Sequence, residues 1–77
     1  MRIHSYQPPY KDYFVAAFQS PLPIPDAREM GQWCYNAFGP SGYRVGTGEV
    51  RWRDNIHYGE VTFSHEEDLT LFLLRWS

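Results

Sequence analysis

The sequence predicts an α+β domain of order β-α-β-β-α, a split βαβ with a trailing helix, on three observations. Apolar residues alternate along DYFVAAFQS (12–20), recur at helical spacing along DAREMGQWCYNAFG (26–39), and return in the strand-like runs EVRWRD and IHYGEVTFS before an amphipathic tail. Hairpin pairing and a right-handed crossover then give a three-stranded antiparallel sheet, with the last strand in the middle and both helices on one face. Residues 1–12 read as an extended arm, free or paired as a fourth strand, on a single domain spanning 1–77.

Each element has a local cause. Pro8-Pro9 end the arm, because proline cannot continue a helix or donate to a central ladder. In the first main strand Phe14, Ala16 and Phe18 face one side and Tyr13, Val15 and Ala17 the other. SPLPIPD (20–26) is a proline-rich connection, and Pro25 fits a first helical turn, where its missing N–H costs nothing. Ala27, Met30, Cys34, Ala37 and Phe38 form one helical stripe that closes on Gly39, a natural terminator before Pro40. Gly31 weakens this helix by about 1 kcal/mol relative to alanine. The glycines of SGYRVGTG (41–48) indicate a bulge or irregular edge.

A turn at Asp54-Asn55 would set Arg53 opposite Ile56, Trp52 opposite His57, Arg51 opposite Tyr58 and Val50 opposite Gly59. Val50, Trp52, His57, Val61 and Phe63 then share the core face, and Arg51, Arg53, Ile56, Tyr58, Glu60 and Thr62 the outer one. In the tail, Ser64 and Glu67 have the spacing of a capping box, and Glu66, Glu67 and Asp68 complement the positive end of the helix dipole. Leu69, Phe72, Leu73 and Trp76 complete a core stripe. Leu71 and Leu74 point away from it, covered by the N-terminal arm or offered to a second chain or a target.

Composition narrows the function class. A chain of 77 residues buries only about 60% of its unfolded surface, so its large side chains must be used well. Aromatics make up 18% of the residues, enough to fill a small core and leave some for an interface, where aromatics and arginine concentrate. Seven basic and nine acidic residues, spread along the chain, give a net charge of −2 and no basic stripe for nucleic acid. Cys34 stands alone, which excludes an internal disulfide and fits a reducing compartment. No apolar leader or membrane span is present, so the expected location is cytoplasmic, with no membrane partner.

Catalytic patterns are weak. GTG (46–48) lacks the spacing of a phosphate loop. Cys34 could be paired with His57 or His65 as nucleophile and base, but it lies on an apolar helix stripe, the usual place of an inert core thiol. His4, His57, His65 and Cys34 show no metal-ligand spacing, and the Glu66-Glu67-Asp68 cluster is explained by the helix start. The expectation is a non-enzyme without cofactor or metal. Its partner-binding residues would be Tyr13, Arg51, Arg53, Ile56 and Tyr58, with Val15, on an open sheet face, and Leu71, Leu74 and Arg75 on the tail. The RWR run (51–53) also has the ingredients of phosphate contact and base stacking. The predicted register turns Trp52 inward and leaves Arg51 to stack on Tyr58, so a nucleic-acid module is the second reading.

Trp33, Cys34, Phe38 and Gly39 form a W-C-x-x-x-F-G helix end. Trp52 lies in a hairpin, and Phe63, Glu67, Asp68, Phe72, Leu74, Arg75 and Trp76 form an F-x-x-x-E-D-x-x-x-F-x-L-R-W tail. Over roughly residues 31–77 this resembles a recurring type of short bacteriophage-encoded protein, with Leu69 in place of the usual alanine. The resemblance implies a phage accessory protein, and such proteins of this length are often non-catalytic binders that block a host machine, including CRISPR and other defence complexes. The partner implied is a host protein or protein complex, with a homodimer as a further arrangement.

Overall fold

The computed structural model describes residues 2–18, 22–45 and 50–77. The end of the predicted first strand with the start of the proline-rich connection (19–21), and part of the glycine-rich stretch with Glu49 (46–49), lie outside the described residues. The elements are β1 (Ile3–Tyr6), β2 (Phe14–Phe18), α1 (Ile24–Phe38), β3 (Trp52–Asn55), a 3-10 turn (Ile56–Tyr58), β4 (Glu60–Phe63) and α2 (Glu66–Trp76). They form an α+β fold with a four-stranded sheet in the order β1-β2-β4-β3, every pair antiparallel. The last strand lies between β2 and β3 as predicted. The arm supplies the fourth strand, with Ile3 opposite Phe18 and Tyr6 opposite Val15.

Both helices pack on the face that carries Phe14, Ala16, Phe18, Trp52, Val61 and Phe63. Phe63 is fully buried where the sheet and the two helices meet, its ring 5.3 Å from Phe38 of α1 and 5.3 Å from Phe72 of α2. Trp33 extends the cluster edge-on to Phe38, Phe72 and Trp76. Such pairs add about 0.5–1.5 kcal/mol each beyond area burial, a useful increment where few residues can be fully enclosed. Trp76 is a half-buried member of this core, as its spacing predicts.

α1 buries Ala27, Met30, Cys34 and Phe38, with proline in its first turn and Gly39 at its C-cap. Gly39 adopts φ 88° and donates its N–H to the Tyr35 carbonyl at 2.9 Å.

The hairpin differs from the prediction. Trp52 lies opposite Phe63, Arg53 opposite Thr62, and Asn55 opposite Glu60, so the chain turns at 56–59 instead of at Asp54-Asn55. A two-residue turn of the favoured type needs both central residues at positive φ. Asp54 instead accepts the Ile56 N–H on Oδ1 at 3.1 Å, which starts the 3-10 turn, and Gly59 supplies the single positive φ of 87°. The register moves by an even number of positions, so Trp52, Val61 and Phe63 keep the core face and Arg53, Glu60 and Thr62 the outer one. The residues inside the turn exchange roles: Ile56, predicted outside, is 1% exposed, and His57, predicted inside, is exposed.

The capping box is also corrected. α2 starts one residue later, with His65 as N-cap and no side-chain capping hydrogen bond. The Ser64 hydroxyl donates to the Val50 carbonyl at 2.6 Å, and its N–H to the Arg51 carbonyl at 2.9 Å, continuing the β3–β4 ladder beyond Phe63. The acidic first turn of Glu66, Glu67 and Asp68 is present as predicted.

Candidate functional site

On the face away from the helices, one row of side chains crosses all four strands: Tyr6, Val15, Thr62 and Arg53. The next row holds His4, Ala17, Glu60 and Asn55. This face was predicted to be open, yet Val15 and Thr62 are buried. They floor a concavity of about 200 Å³, walled by Tyr6, Pro8 and Tyr13 on one side and by Tyr43, Val45 and Arg53 on the other, with Asn55 and Glu60 at its end. The volume is below that of a pocket for a drug-sized molecule and suits one inserted side chain.

The wall beside Arg53 depends on Gly42. Its N–H donates to the Trp52 carbonyl at 3.0 Å, so the segment after α1 runs close along the free edge of β3. A β-carbon at Gly42 would stand 2.6 Å from Val50 Cγ1, closer than packed atoms allow. This approach places the Tyr43 ring under the Arg53 guanidinium, 5.0 Å from Cζ to the ring centroid, a cation–π contact. The Arg53 Nε is buried and has no hydrogen-bond partner. Among the described residues the ion pairs join Arg51 to Asp68 and Arg75 to Glu29, and Arg53 is in neither. Its charge is held by an aromatic ring and unmatched by a carboxylate.

Of the predicted binding residues, Tyr13 and Arg53 meet in this concavity. Arg51 is drawn to the opposite side of the sheet, where it forks onto Asp68 and lies 5.3 Å over Phe38; it does not stack on Tyr58. Ile56 is core and unavailable to a partner, packed beneath α1 where a β-carbon on Gly31 would lie 3.7 Å from its Cδ1. Tyr58 is 86% exposed at the hairpin tip.

Leu71 and Leu74 form a separate spot on α2, 47% and 78% exposed. The arm does not cover them. It pairs with β2, and the hollow between it and α2 is lined by Gln7, Phe14, Leu69 and Leu73 instead. Arg75 lies 4.2 Å over the Trp76 ring and 3.8 Å from Glu29 of α1, an exposed ion pair of small energetic weight.

Cys34 is fully buried, and its thiol is pushed up to about 12, first by burial and then by the negative charge of Asp54. It is therefore protonated near neutral pH and behaves as a core side chain. Among the described residues no group of three or more His, Cys, Asp or Glu is placed to hold a metal ion, and no helix is long and apolar enough to cross a membrane.

Sequence reasoning missed Tyr6, Tyr43 and Asn55 as site residues. Tyr6 could have been found by extending the two-residue period of β2 onto a paired arm. Tyr43 has no periodic signal, because a loop carries it to Arg53. Comparisons with known protein families, with curated proteins and with solved structures find no match for this chain.

Proposed function

We propose that this chain is a non-catalytic protein-binding module of bacteriophage type that occupies a site on a host protein complex and so inhibits or modulates it. It acts in the host cytoplasm through the concave outer face of its sheet, with Leu71 and Leu74 of α2 as a secondary contact. The observation that carries the reading is a concavity walled by Tyr6, Tyr13 and Tyr43, with an arginine against Tyr43 that lacks a carboxylate partner. Tyrosine and arginine dominate binding hot spots because they combine a large rigid contact area with polar tips. The likeness of residues 31–77 to short phage proteins supplies the class of target, which includes CRISPR-type defence complexes. It is an analogy of origin and names no particular complex.

The test is capture from bacterial lysate on immobilised protein, with three variants run beside it: Tyr43→Ala, Arg53→Gln and Leu71→Ser/Leu74→Ser. A protein complex retained by the parent and lost with the two face variants supports the reading. Retention undiminished by both removes the sheet face from it. Capture of RNA or DNA alone, released by a modest rise in salt, supports the nucleic-acid alternative. A dimer that dissociates in the face variants would assign the face to a second copy of the chain.

A further inference from the structure

From the polarity of the concavity we infer that its occupant is an acidic side chain of the partner, an aspartate or glutamate, anchored by Arg53. This rests on the protein-binding reading and adds the chemistry of the anchor. Arg53 is the one donor-only group of the lining and Glu60 the one carboxylate, while the Thr62 and tyrosine hydroxyls and the Asn55 amide both donate and accept and so can turn a donor toward an anion beside Arg53. The two charges are not spent on each other. Arg53 is in register with Thr62, and Glu60 with Asn55 one row further along, so the concavity has a cationic end and an anionic end. A carboxylate fits the first, because guanidinium and carboxylate match as a fork and the guanidinium already lies over the Tyr43 ring, 5.0 Å from its centroid. Glu60 sets the orientation by repelling that anion from the far end.

The experiment is a titration followed by ¹H–¹⁵N NMR of the whole chain, in which the Arg53 Nε–H reports directly. The probes are acetylated, amidated Gly-Gly-Glu-Gly-Gly and the same peptide with glutamine or lysine at its centre. The glutamate peptide is expected to move the Arg53 Nε–H resonance together with the Thr62 and Asn55 signals, and to bind about tenfold more tightly than the glutamine peptide. Arg53→Gln should abolish binding, Arg53→Lys should retain part of it, and Glu60→Gln should tighten it about twofold to fivefold. Amide dispersion verifies folding of each variant, and should Arg53→Gln unfold, Arg53→Lys and Glu60→Gln carry the test.

Equal or tighter binding of the glutamine or lysine peptide overturns the acidic anchor, as does weakened binding in Glu60→Gln or no binding at millimolar peptide. Those results leave the protein-binding reading standing, since it is decided by partner capture. Salt-dependent binding of a short oligothymidylate on the same resonances, with no response to any peptide, overturns both.

Discussion

Arg51 and Asp68 join the residue before β3 to the first turn of α2 through two parallel hydrogen bonds, Nε to Oδ2 at 3.1 Å and Nη2 to Oδ1 at 2.9 Å. The carboxylate side chain is 6% exposed and the arginine 49%. The pair therefore has one buried member and one wet member. This asymmetry sets what each truncation does, because the member left alone in the interior bears the larger desolvation penalty.

Arg51→Ala is expected to destabilise the fold by about 2 kcal/mol, since it strands the Asp68 carboxylate. The value is held below that of a fully buried pair because water already screens Arg51. Asp68→Ala, which strands only the exposed partner, should cost less. Urea unfolding of both single variants and the double variant gives the coupling, expected at about 1–2 kcal/mol. A coupling near zero would show that Arg51 acts only through its packing on Phe38.

A second expectation concerns alkaline pH. The Cys34 thiol is raised from its ordinary 9.0 to about 12 in the folded chain, by burial and by Asp54. Between these values the unfolded chain has released the thiol proton and the folded chain still holds it, so stability falls as pH rises through that window and is unaffected below it. The contribution should reach about 1–2 kcal/mol by pH ~10.5. Cys34→Ala costs about 1 kcal/mol at neutral pH through lost packing but lacks this slope. The gap between the two proteins, read from urea midpoints, should therefore close as pH is raised. A gap that stays constant would contradict the assignment of the slope to Cys34.

The parts of this fold that sequence made legible are those set by local period. Phe14, Ala16 and Phe18 alternate, Met30, Cys34 and Phe38 recur by helical turns, and Leu69, Phe72 and Trp76 do the same, so the layers follow from pattern, and the central place of β4 from hairpin pairing with the right-handed crossover rule. The turn was not legible, because Asp54-Asn55 and Gly59 both carry turn chemistry, and the choice rests on an Asp54 hydrogen bond to the Ile56 N–H and on where positive φ is cheapest. Half of the candidate site was legible for the same reason: Tyr13, Val15, Arg53, Glu60 and Thr62 obey strand parity. Tyr43 reaches the site through a loop contact at Gly42, and Arg51 leaves it for a carboxylate 17 positions away, and no local pattern encodes either.

Gly39 offers a test of backbone strain without side-chain clash. Its φ of 88° and ψ of −164° fall in a region essentially reserved for glycine, yet an added β-carbon would meet nothing within 4 Å. Gly39→Ala should therefore destabilise by about 1–3 kcal/mol through backbone conformation alone. A D-alanine introduced by chemical synthesis, whose preferred φ is positive, should recover most of the loss. The Gly39 carbonyl also accepts from Trp52 Nε1 at 2.7 Å, so the L-variant should shift the indole N–H resonance of Trp52 and the D-variant should not. Equal stability of the two variants would remove backbone strain as the cause.

The most direct probe of how the fold builds the site is Gly42→Ala. The added methyl must displace either Val50 or the segment that carries Tyr43, because the 2.6 Å approach to Val50 Cγ1 leaves no room for both. Moving that segment loosens the Gly42-to-Trp52 hydrogen bond and takes the Tyr43 ring off Arg53. The Arg53 Nε–H resonance, held upfield by the ring, should move toward its free-arginine position, and affinity for the captured partner should fall about tenfold. Val50→Ala in the same chain removes the obstructing methyl groups and should restore both. An unchanged Arg53 signal in Gly42→Ala would mean that Val50 yields instead of the loop, and that Tyr43 is held over Arg53 by contacts other than the Gly42 approach.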